Sequence, residues 1–148
     1  MTPVVSALLI ANIAAFILQR TLPDLADALV FVPELALSRP WSVVTYMFLH
    51  GDPMHLLFNM IALFFFGPRV EERIFSRQFA ILYFLSGITG ALLSVIFAPG
   101  SAIIGASGGV FGVMLAFAWF WPHERIYIWG VVPVPARVLV ILTTVFAL

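Results

Sequence analysis

Two stretches of this chain carry residues whose types and spacing could do chemistry. The first is Gly105-Ala106-Ser107-Gly108-Gly109, a serine set among glycines at the head of an apolar run over residues 110–121. The second is His50-Gly51-Asp52-Pro53-Met54-His55-Leu56-Leu57-Phe58-Asn59, which sends two histidines and an asparagine into another apolar segment. His55 and Asn59 are four residues apart, so a helix puts them on one face. Both can donate hydrogen bonds, and two donors on one face suit an oxyanion hole for acyl transfer. A serine hydroxyl becomes a nucleophile only beside a base. Simpler roles exist for each group. Ser107 could be a helix N-cap, and His55 and Asn59 could be hydrogen-bonding glue between helices.

The elements that must position these groups are membrane helices. The chain has 148 residues, 63% hydrophobic and 9% charged, against about 25% charged in an ordinary soluble domain. Polar side chains in such surroundings are costly and mark function. Formal net charge is zero, which argues against a nucleic-acid partner. There is no cysteine, which removes disulfides, thiolate chemistry and zinc–sulfur sites. Three histidines are too few for a metal cluster, and the nearby Asp52 and Glu124 fall at separate segment ends. No cofactor and no metal are expected.

Residues 3–19 read as a first span of about the length a bilayer needs. A cleaved signal peptide is the competing reading, with Ala26-Asp27-Ala28 resembling a cleavage site, but a basic leader is missing. Residues 20–54 form a long connection, expected to hold short helices in the headgroup region with Trp41 as an interfacial anchor. A second span is expected over 54–70, a third over 79–97 and a fourth over 107–121. A further apolar segment starts near Val134 and stops at Leu148 with no polar exit, as if the chain ended inside a fifth helix. Arg69, Arg73 and Arg77 lie between the second and third spans, and Arg125 and Arg137 between the fourth and fifth. By the positive-inside rule that side is cytoplasmic, so Ser107 sits at the outer end of its helix. Gly108 and Gly112 form a small-xxx-small pair that lets another helix approach closely. His123 lies about 20 Å or more from Ser107 along the fourth span and is set aside as its base.

The sequence resembles the rhomboid intramembrane serine proteases from Trp41 onward. The likeness rests on His50-xxxx-His55-xxx-Asn59, on Gly67 followed by Val70-Glu71 and Arg73, and on Gly105-Ala106-Ser107-Gly108. It implies an all-α, polytopic transmembrane bundle over residues 1–148, with about five of six core helices present. It also implies Ser107 as nucleophile, with His55, Asn59 and the Ser107 backbone N–H stabilising the oxyanion. His50 would be a structural residue of its loop, and Glu71 and Arg73 would tie helices together on the cytoplasmic side. The substrates implied are transmembrane helices of other proteins in the bilayer, cleaved near the outer face. The expected setting is a prokaryotic cell (inner) membrane.

The chain departs from the family pattern twice. Trp41 is followed by Ser42 where the family often has arginine. The family's base is a histidine on a sixth helix that these residues do not include. The intact protein is thus expected to be a protease, and these 148 residues alone to be inactive. A catalytically inactive rhomboid-like protein that binds membrane clients is the alternative. A small transporter or channel subunit fits less well, because the polar groups cluster at one depth rather than along several spans.

Overall fold

The apolar runs become helices, and the computed structural model describes them over residues 1–147, with side chains described for residues 1–143. The protein is mostly helical. Helix α1 is Pro3–Thr21, α2 Pro23–Leu29, α3 Ser42–Thr45, α4 Pro53–Phe97, α5 Ser107–Phe120 and α6 Ala136–Ala147. Short 3-10 turns occupy Pro33–Leu35 and Tyr46–Phe48. Two helices, α1 and α4, are long and apolar enough to cross a membrane. The 14 residues of α5 rise only about 21 Å.

Helix α1 opens on Pro3 after Thr2, whose side chain makes no capping hydrogen bond. The cap comes from another helix. The carboxylate of buried Glu71 accepts the N–H groups of Val4 and Val5, each at 3.0 Å, where a helix start has unpaired donors and a partial positive charge. Glu71 also accepts the Ser76 hydroxyl at 2.6 Å. Helix α1 thus packs into the body of the molecule, burying Val5, Leu8 and Asn12.

The second and third expected spans are the two helices of α4, which meet at a kink. The arginine-rich stretch after Val70 is helical rather than a loop, because Glu71, Glu72 and Arg73 are sound helix formers. The run breaks at Phe75 (φ 67°, ψ 158°) into two arms. Helix α5 shows how the arms run. Gly108 and Gly112 lie against Gly87 and Ser86 of the second arm, while Phe117 stacks edge-on to Phe66 of the first and Arg73 lies 5.2 Å from the Phe120 ring. The first arm therefore runs along α5 in the same sense, and the second returns.

Helix α5 is apolar all round, the pattern of a core helix or a membrane span, and Leu115 and Trp119 stand exposed on its outer face. It buries Val110, Val113, Met114, Phe117 and Ala118, against Leu63, Val70, Phe79 and Tyr83 of α4. The expected close approach of a second helix to Gly108 and Gly112 is met by the second arm. A Cβ on Gly112 would fall 2.0 Å from Ser86 Oγ.

The all-α expectation needs correction at one place. Arg125–Ile128 and Val132–Pro135 pair as an antiparallel hairpin, with Arg125 opposite Pro135 and Ile128 opposite Val132. Pro133 and Pro135 cannot sustain a helix interior, and the alternating Ile126, Ile128, Val132 and Val134 favour strands. The fifth apolar helix therefore begins at Ala136, not near Val134; Leu148, its expected end, lies outside the described residues.

The connection before α4 has the short helices expected of it. Trp41 is half-exposed, and its indole N–H donates to the Ala28 carbonyl at 3.0 Å. The Ile103 N–H donates to Phe31 at 2.9 Å, tying this connection to the loop that carries the serine.

Candidate active site

The site is assembled where the start of α4 meets the start of α5. Asp52 is the N-cap of α4: its carboxylate accepts the N–H groups of Met54 at 2.8 Å and His55 at 2.9 Å, with Pro53 at the first helical position. Those two bonds, that of His55 first, hold the Asp52 carboxyl below its ordinary value. His55 is thereby fixed in the first turn. The Gly51 N–H points at His55 Nδ1, 3.4 Å away. An imidazole that accepts at Nδ1 carries its proton on Nε2, an assignment made from the hydrogen-bond pattern.

That Nε2 faces Gly105. A Cβ built on Gly105 would lie 2.7 Å from it, and Gly105 has φ +120°, a conformation natural only to glycine. The glycine before the serine is therefore what lets the His55 ring reach the backbone of the serine loop.

Ser107 sits at the first position of α5, with Ala106 as N-cap. The N-cap position weighed for the serine belongs to its neighbour, where no side-chain capping hydrogen bond is made. The Ser107 side chain is exposed. A first-position N–H has no partner within its helix, so the Ser107 backbone presents a donor beside its own hydroxyl.

Asn59 lies one turn deeper and is buried. Its amide donates to the His55 carbonyl at 3.0 Å, a bond within its own helix rather than across helices. One amide N–H of Asn59 is left for another acceptor.

His50 is fully buried. Its Nε2 accepts the Ala106 N–H at 3.5 Å, and its ring meets His55 edge-on at 5.0 Å. Burial first, and then the charge of His55, push the His50 pKa down to about 4, so it is neutral at pH 7. Gln19 fixes its backbone from both sides, donating to the His50 carbonyl at 2.6 Å and accepting its N–H at 3.0 Å. Tyr46 backs the loop from the other side. Its carbonyl accepts the Gly105 N–H at 3.0 Å, and its hydroxyl donates to the Gly87 carbonyl. Sequence reasoning missed both. Tyr46 does lie four residues before His50, whereas Gln19 carries no signal beyond being the last polar group of an apolar run.

The remaining residues gather at the opposite end. Arg69 pairs with Glu124 at 3.0 Å and lies 4.5 Å from the Trp121 ring. Glu71 and Arg73 do not pair with each other; Glu71 holds α1, and Arg73 stacks on Phe120 of α5. His123 follows α5 at this end, away from Ser107.

Residues 37–148 match the model of the Rhomboid domain family. Over 96 residues the chain is 38% identical to "Rhomboid-like protease 3" of Toxoplasma gondii, covering 65% of this chain and 36% of that protein. It is 39% identical over 74 residues to "Rhomboid protease GluP" of Bacillus subtilis, covering 50% of this chain and 14% of that one. It is 36% identical over 77 residues to "RHOMBOID-like protein 6, mitochondrial" of Arabidopsis thaliana, covering 52% and 25%. The chain thus spans about a third or less of the length of these relatives, which come from a bacterium and from eukaryotes.

Proposed function

The chain belongs to the rhomboid family, and from that premise we propose that the intact protein is an intramembrane serine endopeptidase. Its substrates are transmembrane helices of other membrane proteins, cut near the outer face of a prokaryotic cell membrane. The five apolar helical stretches (α1, the two arms of α4, α5 and α6) are then five of six in a polytopic bundle. The arginine-bearing end, with Arg69, Arg73 and Arg125, faces the cytoplasm.

In this reading the Ser107 oxygen attacks the scissile carbonyl. A histidine on a helix beyond residue 148 takes the serine proton and passes it to the leaving amine. Water then attacks the acyl-enzyme carbonyl while the same base takes its proton, which passes to the departing Ser107 oxygen. His55 Nε2–H, the Asn59 amide and the Ser107 backbone N–H hold the oxyanion. The observation that carries the reading is the His55 ring pressed against Gly105, two residues from an exposed hydroxyl. The groove between the second arm and α5, lined by Ser86, Thr89, Gly90, Gly108 and Gly112, offers small residues on which a further helix can seat closely.

A fluorophosphonate probe is expected to label the full-length protein at Ser107, and Ser107→Ala to lose the label. Labelling that persists in Ser107→Ala overturns the assignment. The alternative is an inactive client-binding protein. It stands if the full-length wild type takes no label yet co-purifies with transmembrane clients.

A further inference from the structure

At the end of the molecule opposite Ser107 lies a crevice of about 350 Å³, between the first arm of α4 and the strand Arg125–Ile128. Its polar rim is Arg69, Glu124 and Arg125, and its apolar wall includes Phe65 and Tyr127. Nothing in the proteolytic reading uses it. We infer that it binds the headgroup of an anionic phospholipid, with the phosphodiester between Arg69 and Arg125.

Two guanidiniums against one carboxylate leave one positive charge in the rim, which matches a phosphodiester monoanion. Arg69 is already held in place. One of its nitrogens takes Glu124 at 3.0 Å, and its face lies over Phe117 and Trp121, at 5.3 and 4.5 Å from the ring centroids. The guanidinium has five N–H donors, so donors remain for a phosphate oxygen, which this planar fork suits. Arg125 is exposed and shares a strand face with Tyr127, two residues on. Below the rim the wall runs on as an apolar stripe. Phe65, Ile61 and Phe58 follow at helical spacing on the first arm, all exposed, and an acyl chain can lie along them. Basic pockets between membrane helices at the cytoplasmic surface are suited to such headgroups.

This inference rests on the membrane reading of the chain and not on proteolysis. The test is native mass spectrometry of the full chain in detergent, with dioleoylphosphatidylglycerol or dioleoylphosphatidylcholine added. The anionic lipid is expected to be retained about fivefold or more over the zwitterionic one. Arg125→Gln and Arg69→Gln should each cut that retention by about fivefold. Arg39→Gln, in the connection before α4, should leave it unchanged. Among the described residues Arg125 makes no side-chain bond, so Arg125→Gln reads binding even if Arg69→Gln misfolds. Equal retention of the two lipids overturns the inference, as does an effect of Arg39→Gln equal to that of Arg125→Gln. So does millimolar inorganic phosphate that replaces the lipid and remains bound itself, which would make this a free-phosphate site.

Discussion

Gly105 is the residue on which the candidate site turns. Alanine there meets two penalties at once: a strained backbone at φ +120° and a Cβ 2.7 Å from the His55 ring. Gly105→Ala should lower stability by about 1–3 kcal/mol and displace His55, with probe labelling of the full-length protein falling along with it. Undiminished labelling would mean that the histidine plays no part in the reaction. His55→Ala in the same protein should slow acylation by about 10²–10³-fold, the usual loss for one oxyanion donor. His50 sets a pH dependence. Its pKa is about 4 in the folded state against 6.5 ordinarily. Between those values the unfolded chain holds a proton there that the folded chain lacks. Stability is therefore full above about pH 6.5 and declines as pH falls towards 4. Thermal unfolding in detergent should occur at a lower temperature at pH 5 than at pH 7, and His50→Gln should flatten the difference. Asp52, held below 3.8, titrates beneath that window. The meeting of His50, His55 and the serine loop could be read from spacing, because histidines at a helix start and a serine at another share a depth. The clamps by Gln19 and Tyr46 could not, since they act through backbone groups that no side-chain pattern reveals.

Among the elements, α5 packs closely on the second arm of α4 through Gly108 and Gly112. Gly112→Ala puts a methyl 2.0 Å from Ser86 Oγ and 2.5 Å from its Cβ, an overpacking that should cost about 1–3 kcal/mol. Ser86→Gly in the same chain should restore much of that loss, because the clash is with this one side chain. Additive losses in the double variant, measured by unfolding in detergent, would show that the strain lies elsewhere. The small-residue spacing on α5 made a close partner legible, though not which helix it would be. The hairpin was not legible: four-residue strands next to an apolar helix look like its flank, and only the prolines at 133 and 135 marked the boundary. The unbroken helix through Glu71–Arg73 was hidden for the opposite reason. Charges that read as a loop in a membrane chain are ordinary helix formers.

At the scale of the whole molecule, the largest signal was composition. Exposed Phe58, Phe64, Phe65, Leu85, Ile96 and Phe97 give the outside an apolar area that water does not tolerate. The chain should stay with membranes through alkaline carbonate extraction, and release into the supernatant would contradict the membrane reading. Charged groups gather at the two ends, with Arg20 and Asp52 beside the histidine loop and Arg69, Glu71, Arg73 and Glu124 at the other. Glu71 links the parts at the arginine end. Glu71→Ala removes acceptors for two helix-start N–H groups and a hydroxyl, a loss of at least about 2 kcal/mol. It should show first as protease sensitivity of the chain around α1. Phe75, a single non-helical residue between two long apolar arms, bears on how the protein is made. With so little slack between them, the two arms are expected to enter the bilayer together as a hairpin. A dozen Gly and Ser residues spliced in after Phe75 would let the leading arm enter early, and crosslinking of stalled nascent chains to lipid would record the change.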